Sequence, residues 1–511
     1  MAGKNRIAAG DKTTVESARI VLEAGGNAFD AAVAACFTAM IAEPALTSAG
    51  GGGFLNAYPA DGKPILFDFF VNTPSGDVNK VDFSKIMVDF GTTKQAFHIG
   101  KGSVAVPGIV AGLLLAHDYL GDMPIKLVME PAIEFAKKGI RLTKTQSYVL
   151  RILKPIIIRN SIGQRMFAPE GELLSESDLL CMPDFADFLD VLTYEGKDLF
   201  YRGEVAKNLL SEIDGGGLIQ YDDLLHYQVV LRDPLKTSFH GYTILGNPPP
   251  SLGGLLIDAT LTLLEKSGET QVTPISLLRL VEAFETTNIL RQERVKEPPS
   301  ARSSKLTQQE FFKDYLDVYL SSYSPRNVIK SEPHSLGSTT HISILDRAGN
   351  AVSVTTTNGE GSGIFIPGTG IMLNNMLGEE DLNPEGFHQY NKGKRLSSMI
   401  SPTIVMDKRN PVLITGSAGS SRILSVTIQI ILNTLCNNMK IEEATAASRI
   451  HLERNVLHLE PGFPDDVVKK LEARYEIKRW EEQNLYFGGA NSVSSSSCAG
   501  DPRRDGYALE F

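Results

Sequence analysis

Residues 338–357 read STTHISILDRAGNAVSVTTT, and this stretch decides the fold. Residues 341–346 and 351–357 are rich in β-branched side chains and flank RAGN, a pattern typical of a β-hairpin. Further along the chain, residues 403–407 and 412–415 repeat the pattern, and residues 421–436 predict a long apolar helix. Two layers of strands with helices outside would bury these elements.

The start of the same stretch carries a candidate nucleophile. Ser338-Thr339-Thr340-His341 follows residues 292–337, a charged stretch rich in Ser and Pro that predicts a mobile linker. A cut before Thr339 would leave its hydroxyl beside its own free amine. That amine titrates near about pH 8, so it can take the hydroxyl proton. The alternative is an ordinary strand start, because threonine favours strands.

Acyl transfer also needs hydrogen-bond donors for the developing oxyanion. Residues 415–422 read TGSAGSSR and come between a strand and a helix. Small residues at such a turn expose backbone N–H groups at a helix N-terminus. The stretch therefore predicts an oxyanion site, or else a plain glycine-rich turn.

The N-terminal part predicts two helices, one over residues 14–24 with a Thr13/Glu16 capping box and one from Asn27 to Pro44. Four glycines, Gly50 to Gly53, then indicate a tight turn or a close backbone approach. A phosphate loop is the weaker reading, because no Gly-Lys-Ser/Thr follows.

Bulk properties exclude several function classes. The net charge of -10 and the pI of about 5.5 argue against a nucleic-acid partner. The histidines show no HExxH, and His451 and His458, seven apart, are interpreted as unrelated surface residues. Four scattered cysteines fit a reducing compartment. No apolar stretch reaches bilayer length and no signal peptide is visible, so we expect no membrane association and a cytoplasmic location.

Motifs along nearly the whole chain resemble those of the γ-glutamyltransferase (γ-glutamyl transpeptidase) family. They are, in order, GGNAFDAAVAA, GGGGFLNAY, VAVPGIVAGL, FYRGEVA, NPPPSLGG, STTHISILDRAGNAVSVTTT, MLNNML, RLSSMISPTIV, TGSAGSSRI, FGGANSV and GDPRRDGYAL. The resemblance implies an α+β fold, the four-layer αββα sandwich of the N-terminal-nucleophile hydrolases.

The resemblance also implies self-processing without a cofactor or metal. The chain would split between Ser338 and Thr339 into residues 1–338 and 339–511, which stay together as a heterodimer. Thr339 matches the family's catalytic threonine. Thr357 matches the threonine that hydrogen-bonds to the amine and hydroxyl of that catalytic residue. Gly419 and Ser420 match the oxyanion pair, with serine in place of the second glycine. A backbone donor survives that change unless the turn needs a positive φ.

Residues that would bind the substrate match less closely. Ser397 and Ser398 match the paired serines that hold the donor's α-carboxylate. Glu379, or Glu380 if the register slips by one, matches the acidic residue for the α-amino group. Asn358 lies near the position of an asparagine in the family, but the loop that carries it is shorter in this chain.

Phe70 is the main departure from the family pattern, because the family has an arginine there that clamps the glutamyl carboxylate. Arg395 is a possible substitute cation, and so is an arginine distant in sequence. The segment from Asn375 to Ser397 is short, which predicts a reduced lid.

Three functions follow from this pattern. The first is an enzyme in which Thr339 attacks a γ-glutamyl-type amide such as glutathione and passes the acyl group to water or an amine. The second is an acylase or small-amide hydrolase of the same family, favoured by Phe70. The third is an unprocessed, inactive homologue that binds a metabolite, and the presence of both Thr339 and Thr357 argues against it.

Overall fold

Two stacked β-sheets form the centre of the computed structural model, which describes residues 3–89, 94–267, 274–295, 338–453 and 455–511. In chain order the strands are β1 (Arg6–Ala9), β2 (Gly52–Tyr58), β3 (Ile65–Asp68), β4 (Ser84–Asp89), β5 (Lys94–Ile99), β6 (Ile140–Arg141), β7 (Leu179–Leu180), β8 (Val230–Arg232), β9 (Leu235–Phe239), β10 (Tyr242–Gly246), β11 (Thr339–Leu345), β12 (Ala351–Thr357), β13 (Phe365–Ile366), β14 (Ile371–Met372), β15 (Thr403–Asp407), β16 (Asn410–Thr415), β17 (Ile450–Glu453), β18 (Val456–Leu459), β19 (Glu476–Arg479), β20 (Ser492–Ser494), β21 (Cys498–Ala499) and β22 (Tyr507–Glu510).

Helices cover the outer faces of both sheets. In chain order they are α1 (Lys12–Glu23), α2 (Ala28–Ala42), α3 (Ile109–Leu120), α4 (Ile125–Lys138), α5 (Lys144–Ile152), α6 (Lys154–Ile157), α7 (Ser161–Phe167), α8 (Pro183–Glu195), α9 (Asp198–Tyr201), α10 (Glu204–Ile213), α11 (Tyr221–Leu225), α12 (Gly253–Ser267), α13 (Pro274–Val295), α14 (Arg422–Leu435), α15 (Ile441–Ala446) and α16 (Asp465–Glu472). None of the helices among the described residues is long and apolar enough to cross a bilayer.

The first sheet has the strand order β22-β1-β11-β12-β2-β3-β8, and the second β21-β20-β16-β15-β10-β9. One apolar cluster joins the first sheet to α1–α4, and another joins the second sheet to α12, α13 and α14. A third, smaller cluster lies between the sheets and includes Ala8, Leu345 and Ile404. These clusters define four layers, so the predicted αββα sandwich is confirmed.

The β11–β12 hairpin forms as predicted. Its turn contains Gly349 at φ 94°, and the Asp346 carboxylate accepts hydrogen bonds from the Ala348 and Asn350 N–H groups at 2.9 Å. The other oxygen of Asp346 accepts from the Ala28 N–H at 3.0 Å, which fixes the start of α2 against the hairpin.

Helix α2 packs beneath β11 and β12. Asn27 caps it in a capping box with Asp30, and every residue of the helix is buried. The predicted cap of α1 is wrong, because the Asp11 side chain, and not Thr13, caps that helix by accepting from the Thr13 N–H. Both helices nevertheless occupy nearly the predicted ranges.

The sequence predicts a tight turn or a close backbone approach at Gly50 to Gly53. A Cβ on Gly51 would lie 2.2 Å from the Thr357 carbonyl oxygen, and one on Gly53 would lie 2.4 Å from that of Thr355. The glycine run therefore allows the close approach of its backbone to β12.

Of the predicted linker, residues 292–295 are the end of α13, whereas residues 296–337 lie outside the described residues.

Candidate active site

Thr339 and Thr357 face each other across the β11–β12 ladder. Directly opposed residues in an antiparallel pair project from the same face of the sheet. That face is turned toward the second sheet, because Ser353, four pairs along and so on the same face, donates to the Thr415 carbonyl oxygen of β16 at 2.9 Å. Thr339 and Thr357 are 4% and 6% exposed, so both lie in the interior at the end of the strands.

The hydroxyl of Thr357 binds the carbonyl group that precedes Thr339. It donates to the Ser338 carbonyl oxygen at 2.5 Å and accepts from the Gly359 N–H at 3.0 Å. A donor on a carbonyl oxygen withdraws electrons from the carbon and stabilises the negative charge that attack develops. The Ser338–Thr339 bond is therefore polarised in the direction that attack by a hydroxyl requires.

His341 takes no part in activating a nucleophile. Its ring is fully buried, with Nδ1 2.7 Å from the Thr355 hydroxyl and Nε2 3.0 Å from the Ser343 hydroxyl. Burial lowers the pKa of His341 to about 3, so the ring is neutral at physiological pH. A Cβ on Gly416 would lie 2.4 Å from this ring, so the imidazole packs directly between β11 and the end of β16.

Thr340 points to the opposite face, toward the helices, and donates to the Glu43 carboxyl at 2.7 Å. Glu43 is buried at the end of α2, and burial raises its pKa to about 7. Sequence reasoning missed this residue. Its only signal was an acidic residue at the end of an otherwise apolar helix.

The predicted oxyanion turn follows β16. Gly419 has φ 117° and Ser420 φ 50°, so the turn does require positive φ at the position where serine replaces glycine. The Ser420 hydroxyl donates to Asp381 at 2.6 Å, and Asp381 pairs with Arg291 at 3.1 Å. Among the described residues, neither the Gly419 nor the Ser420 N–H donates to an internal acceptor. The turn thus keeps two available N–H donors, one from Gly419 and one from Ser420, although Ser420 adopts a positive φ at some conformational cost.

Ser397 and Ser398 are held by the Pro-rich turn before α12. The Ser397 hydroxyl donates to the Pro250 carbonyl oxygen at 2.8 Å, and the Ser398 hydroxyl accepts from the Ile400 N–H at 3.1 Å. The Ser398 carbonyl oxygen accepts from the Ser251 hydroxyl at 2.9 Å. The Ser397 hydroxyl is therefore already engaged by the protein's own backbone.

Glu379 lies close to Gly359, two residues after Thr357. A Cβ on Gly359 would lie 2.4 Å from the Glu379 carboxyl. Burial raises the pKa of Glu379 well above its usual value, and the neighbouring carboxyl groups of Glu360 and Asp381 raise it further. Asn358 donates to the Met372 carbonyl oxygen at 3.3 Å, and this contact fixes the loop.

Phe70 fills its position with apolar packing. It is 1% exposed and stacks on Phe54, with ring centroids 5.4 Å apart. Leu396 and Ile423 belong to the same cluster. The ring of Phe70 therefore serves the apolar core at this position.

Arg395 does not substitute for the missing arginine. Its guanidinium pairs with the buried Asp68 at 3.2 Å and donates to the Gln228 carbonyl oxygen at 2.7 Å and the Tyr227 hydroxyl at 2.7 Å. It also contacts the Phe70 carbonyl oxygen. These bonds hold the 68–70 segment and leave Arg395 committed to structure.

The interpretation of His451 and His458 as surface residues is wrong. They are directly paired across β17 and β18, and they are 4% and 8% exposed. Tyr486 stacks on His458 with centroids 4.7 Å apart, and Arg422 lies over the Tyr486 ring at 5.0 Å. The pair belongs to an aromatic cluster behind the oxyanion turn.

A pocket opens beside Ser338. Its empty space, including the part open to solvent, is about 820 Å³, and its walls are mainly apolar side chains of α5 and its surroundings. Glu43, Glu360 and Arg504 supply the charged or titratable groups of its lining. Sequence reasoning missed Arg504 as well. It lies in the motif GDPRRDGYAL near residue 511, and nothing in that local sequence indicates a residue that lines a pocket.

Comparisons with known proteins give matches over nearly the whole chain. The sequence model described as gamma-glutamyltranspeptidase matches residues 14–511. The glutathione hydrolase proenzyme of Escherichia coli is 31% identical over 504 residues, covering 93% of this chain and 85% of that protein. The acylase ACY 1 proenzyme of Pseudomonas sp. strain SE83 is 30% identical over 492 residues, covering 93% and 87%.

A solved structure shares the fold across the whole chain. The cephalosporin acylase from Bacillus halodurans superposes with a TM-score of 0.84 at 21% identity, covering 99% of this chain and 96% of that one. At this identity the likeness shows the architecture alone.

Proposed function

Because the chain belongs to the gamma-glutamyltranspeptidase family, we propose that it is a self-processing amidohydrolase or acyltransferase whose nucleophile is Thr339. The observation that carries the proposal is the Thr357 hydroxyl 2.5 Å from the Ser338 carbonyl oxygen, with Thr339 directly opposite Thr357.

Self-cleavage uses the same groups. The Thr339 Oγ attacks the Ser338 carbonyl carbon, and its proton passes to the Thr339 nitrogen as the C–N bond breaks. The resulting ester joins Ser338 to the Thr339 Oγ, and water hydrolyses it to the Ser338 carboxylate and a free Thr339. Thr357 holds the carbonyl oxygen during the attack.

Turnover of a substrate repeats the chemistry with the new amine as base. The Thr339 α-amine takes the hydroxyl proton, the Oγ attacks the substrate amide, and the leaving amine departs with that proton. The Gly419 and Ser420 N–H groups are suited to stabilise the oxyanion. Water or a second amine then removes the acyl group from Thr339.

The two fragments would remain associated because their strands alternate. In the first sheet β11 lies between β1 and β12, and β12 lies between β11 and β2. Strands β1, β2, β3 and β8 precede the cut, whereas β11, β12 and β22 follow it. Backbone hydrogen bonds between strands therefore join residues 1–338 to residues 339–511.

For the donor, the site favours an acylase-type amide over glutathione. Phe70 offers no charge to a glutamyl α-carboxylate, and the Arg395 guanidinium is committed to Asp68. Relatives carry both names, a glutathione hydrolase proenzyme at 31% identity and an acylase proenzyme at 30%, so the preference rests on the contacts of Phe70 and Arg395.

Two measurements test the proposal. Purified protein on a denaturing gel should give two bands, with Thr339 as the N-terminal residue of the smaller fragment. A screen of the processed protein against γ-glutamyl, glutaryl and neutral small-amide donors should find turnover of at least one. A single band near 55.6 kDa with no turnover would indicate the inactive homologue instead.

A further inference from the structure

The side chain of Ser420 is anchored outside the turn that carries its N–H group. Its hydroxyl donates to one carboxylate oxygen of Asp381 at 2.6 Å, and the other oxygen of Asp381 accepts from the Arg291 guanidinium at 3.1 Å. The Asp381 side chain is 4% exposed and that of Arg291 is 17% exposed. A hydrogen bond to a charged acceptor that is shielded from water is stronger than one between neutral groups. Ser420 is therefore firmly held through its side chain.

The backbone of the turn shows why this contact matters. Ser420 has φ 50°, in the left-handed region that residues other than glycine adopt at a cost. The Gly419 and Ser420 carbonyl oxygens accept from the Arg422 and Ile423 N–H groups, at 3.0 and 3.1 Å, at the start of α14. A change of φ at Ser420 would rotate the peptide group that joins it to Gly419, and with it the Ser420 N–H. The direction of this donor therefore depends on keeping a conformation that serine alone disfavours.

Asp381 is presented by a turn that its own segment fixes. The Asn383 side chain donates to the Met376 and Glu379 carbonyl oxygens, both at 2.8 Å. Arg291 comes from α13, 90 positions earlier in the chain. The short segment that predicts a reduced lid thus places a fixed carboxylate against the oxyanion turn.

Arg291 also balances the charge of Asp381. An unpaired carboxylate beside the turn would oppose the negative charge that develops on an oxyanion bound there. Pairing with Arg291 lets Asp381 accept the hydrogen bond of Ser420 while the pair as a whole carries no net charge.

We propose that Asp381 is a positioning residue, which holds the Ser420 N–H in the orientation that receives the oxyanion, and that Arg291 neutralises its charge. Both act through Ser420 and neither has to touch the substrate. This inference rests on the function proposed for Thr339 and for the oxyanion turn, and deepens it.

The test is a double-mutant cycle on the processed enzyme, with kcat and KM measured separately on γ-glutamyl and glutaryl p-nitroanilides. Asp381→Ala should lower kcat by roughly 10- to 100-fold, because a displacement of about 1 Å in a reacting geometry can cost about 10²-fold. KM should stay within about three-fold of wild type, since the oxyanion forms only during the reaction. In Ser420→Gly, which lacks the hydroxyl and tolerates a positive φ, adding Asp381→Ala should change kcat by less than about three-fold.

A second pair of variants separates charge from general stability. Arg291→Gln leaves the carboxylate beside the turn unpaired and should also lower kcat. Arg279→Gln is the matched control, because Arg279 lies in the same helix and pairs with the buried Glu282 at 2.9 Å. It should keep the wild-type kcat.

Two results would overturn the inference while leaving the function of Thr339 intact. One is an equal loss of kcat from Asp381→Ala with and without Ser420→Gly, which would indicate a general structural role. The other is a rise in KM confined to the γ-glutamyl donor, which would show that Asp381 contacts the substrate. Absence of turnover by the processed wild type with every amide would instead remove the proposed function and this role together.

Ser420→Ala provides the same test if Asp381→Ala does not fold. It breaks the same hydrogen bond from the other end and leaves the ion pair with Arg291 in place. Its kcat should fall by a factor similar to that expected for Asp381→Ala. A folded, processed Ser420→Ala with the kcat of wild type would overturn the inference.

Discussion

The Thr357 hydroxyl lies 2.5 Å from the Ser338 carbonyl oxygen in the uncut chain, and the same side chain faces Thr339 across the hairpin. One threonine is therefore in contact with the carbonyl to be attacked and opposite the residue that would attack it. This relationship explains how a single hairpin can serve both maturation and turnover.

Replacing the nucleophile should prevent maturation. Thr339→Ala removes the only hydroxyl of residue 339, so the protein should stay full length on a denaturing gel, whereas Thr339→Ser should still be cut. Mass spectrometry of the fragments locates the cut. Two fragments from Thr339→Ala, with residue 339 at the new N-terminus, would show that cleavage is not autocatalytic.

Removing the Thr357 hydroxyl should slow both reactions. For Thr357→Ala we expect self-cleavage and kcat to fall by roughly 10²- to 10⁴-fold, the range for loss of acid–base assistance. Thr357→Ser keeps the donor and should retain much of the activity. Equal kcat in fully processed wild type and Thr357→Ala would remove Thr357 from the mechanism.

Ser420 adopts a left-handed conformation that glycine adopts without strain. Ser420→Gly should keep kcat within a few fold, because the N–H donor is retained. Ser420→Ala loses the hydrogen bond to Asp381 and keeps the positive φ, so it should be less stable than Ser420→Gly by about 1–2 kcal/mol. Urea unfolding of both variants measures the difference, and a more stable alanine variant would contradict this reading.

Phe70 should matter for stability more than for binding. Phe70→Ala empties a stacked, buried position and should lower the free energy of unfolding by about 3–5 kcal/mol. Phe70→Leu should be milder and should leave KM for glutathione within about three-fold of the wild-type value. A tenfold change in KM in a stably folded Phe70→Leu would show that the ring contacts substrate.

Glu43 should make stability depend on pH. Its pKa is raised from 4.5 to about 7 in the folded state, so the folded chain holds a proton that the unfolded chain releases. The favourable contribution is complete below about pH 4.5 and is lost as the pH rises through about 7. Integrated over this window it is on the order of 3 kcal/mol.

Glu43→Gln should remove this pH dependence. Denaturant unfolding at several pH values between about 4.5 and 8 should show the wild type losing stability relative to the variant as pH rises. Parallel curves for the two proteins would mean that Glu43 ionises at its ordinary pKa.

The elements that local patterns determine were predictable. Strand alternation gave the β11–β12 hairpin and β15 at their observed positions, and Asn27 gave the start of α2. The motif match predicted that Thr357 acts on Thr339, and the ladder pairs the two residues directly. The proposed catalytic roles remain predictions for the experiments above.

What sequence reasoning missed depends on contacts between distant parts of the chain. Glu43 meets Thr340 across 297 positions, and Arg395 meets Phe70 across 325. No local pattern reports such pairs. His451 and His458 were misjudged because their spacing was considered on a helix, whereas adjacent strands pair them directly.

The alternating strand order also affects how the protein can fold before and after the proposed cut. An uncut chain folds as a single molecule, with β11 inserted between β1 and β12 before any cut. If the chain is cut as proposed, a molecule that unfolds would recover only by a collision of two separate polypeptides, so its recovery would be second order and would slow on dilution. The proposed cleavage would therefore turn a reversible folding reaction into a concentration-dependent one, and the lifetime of the cut protein would depend on how slowly it unfolds.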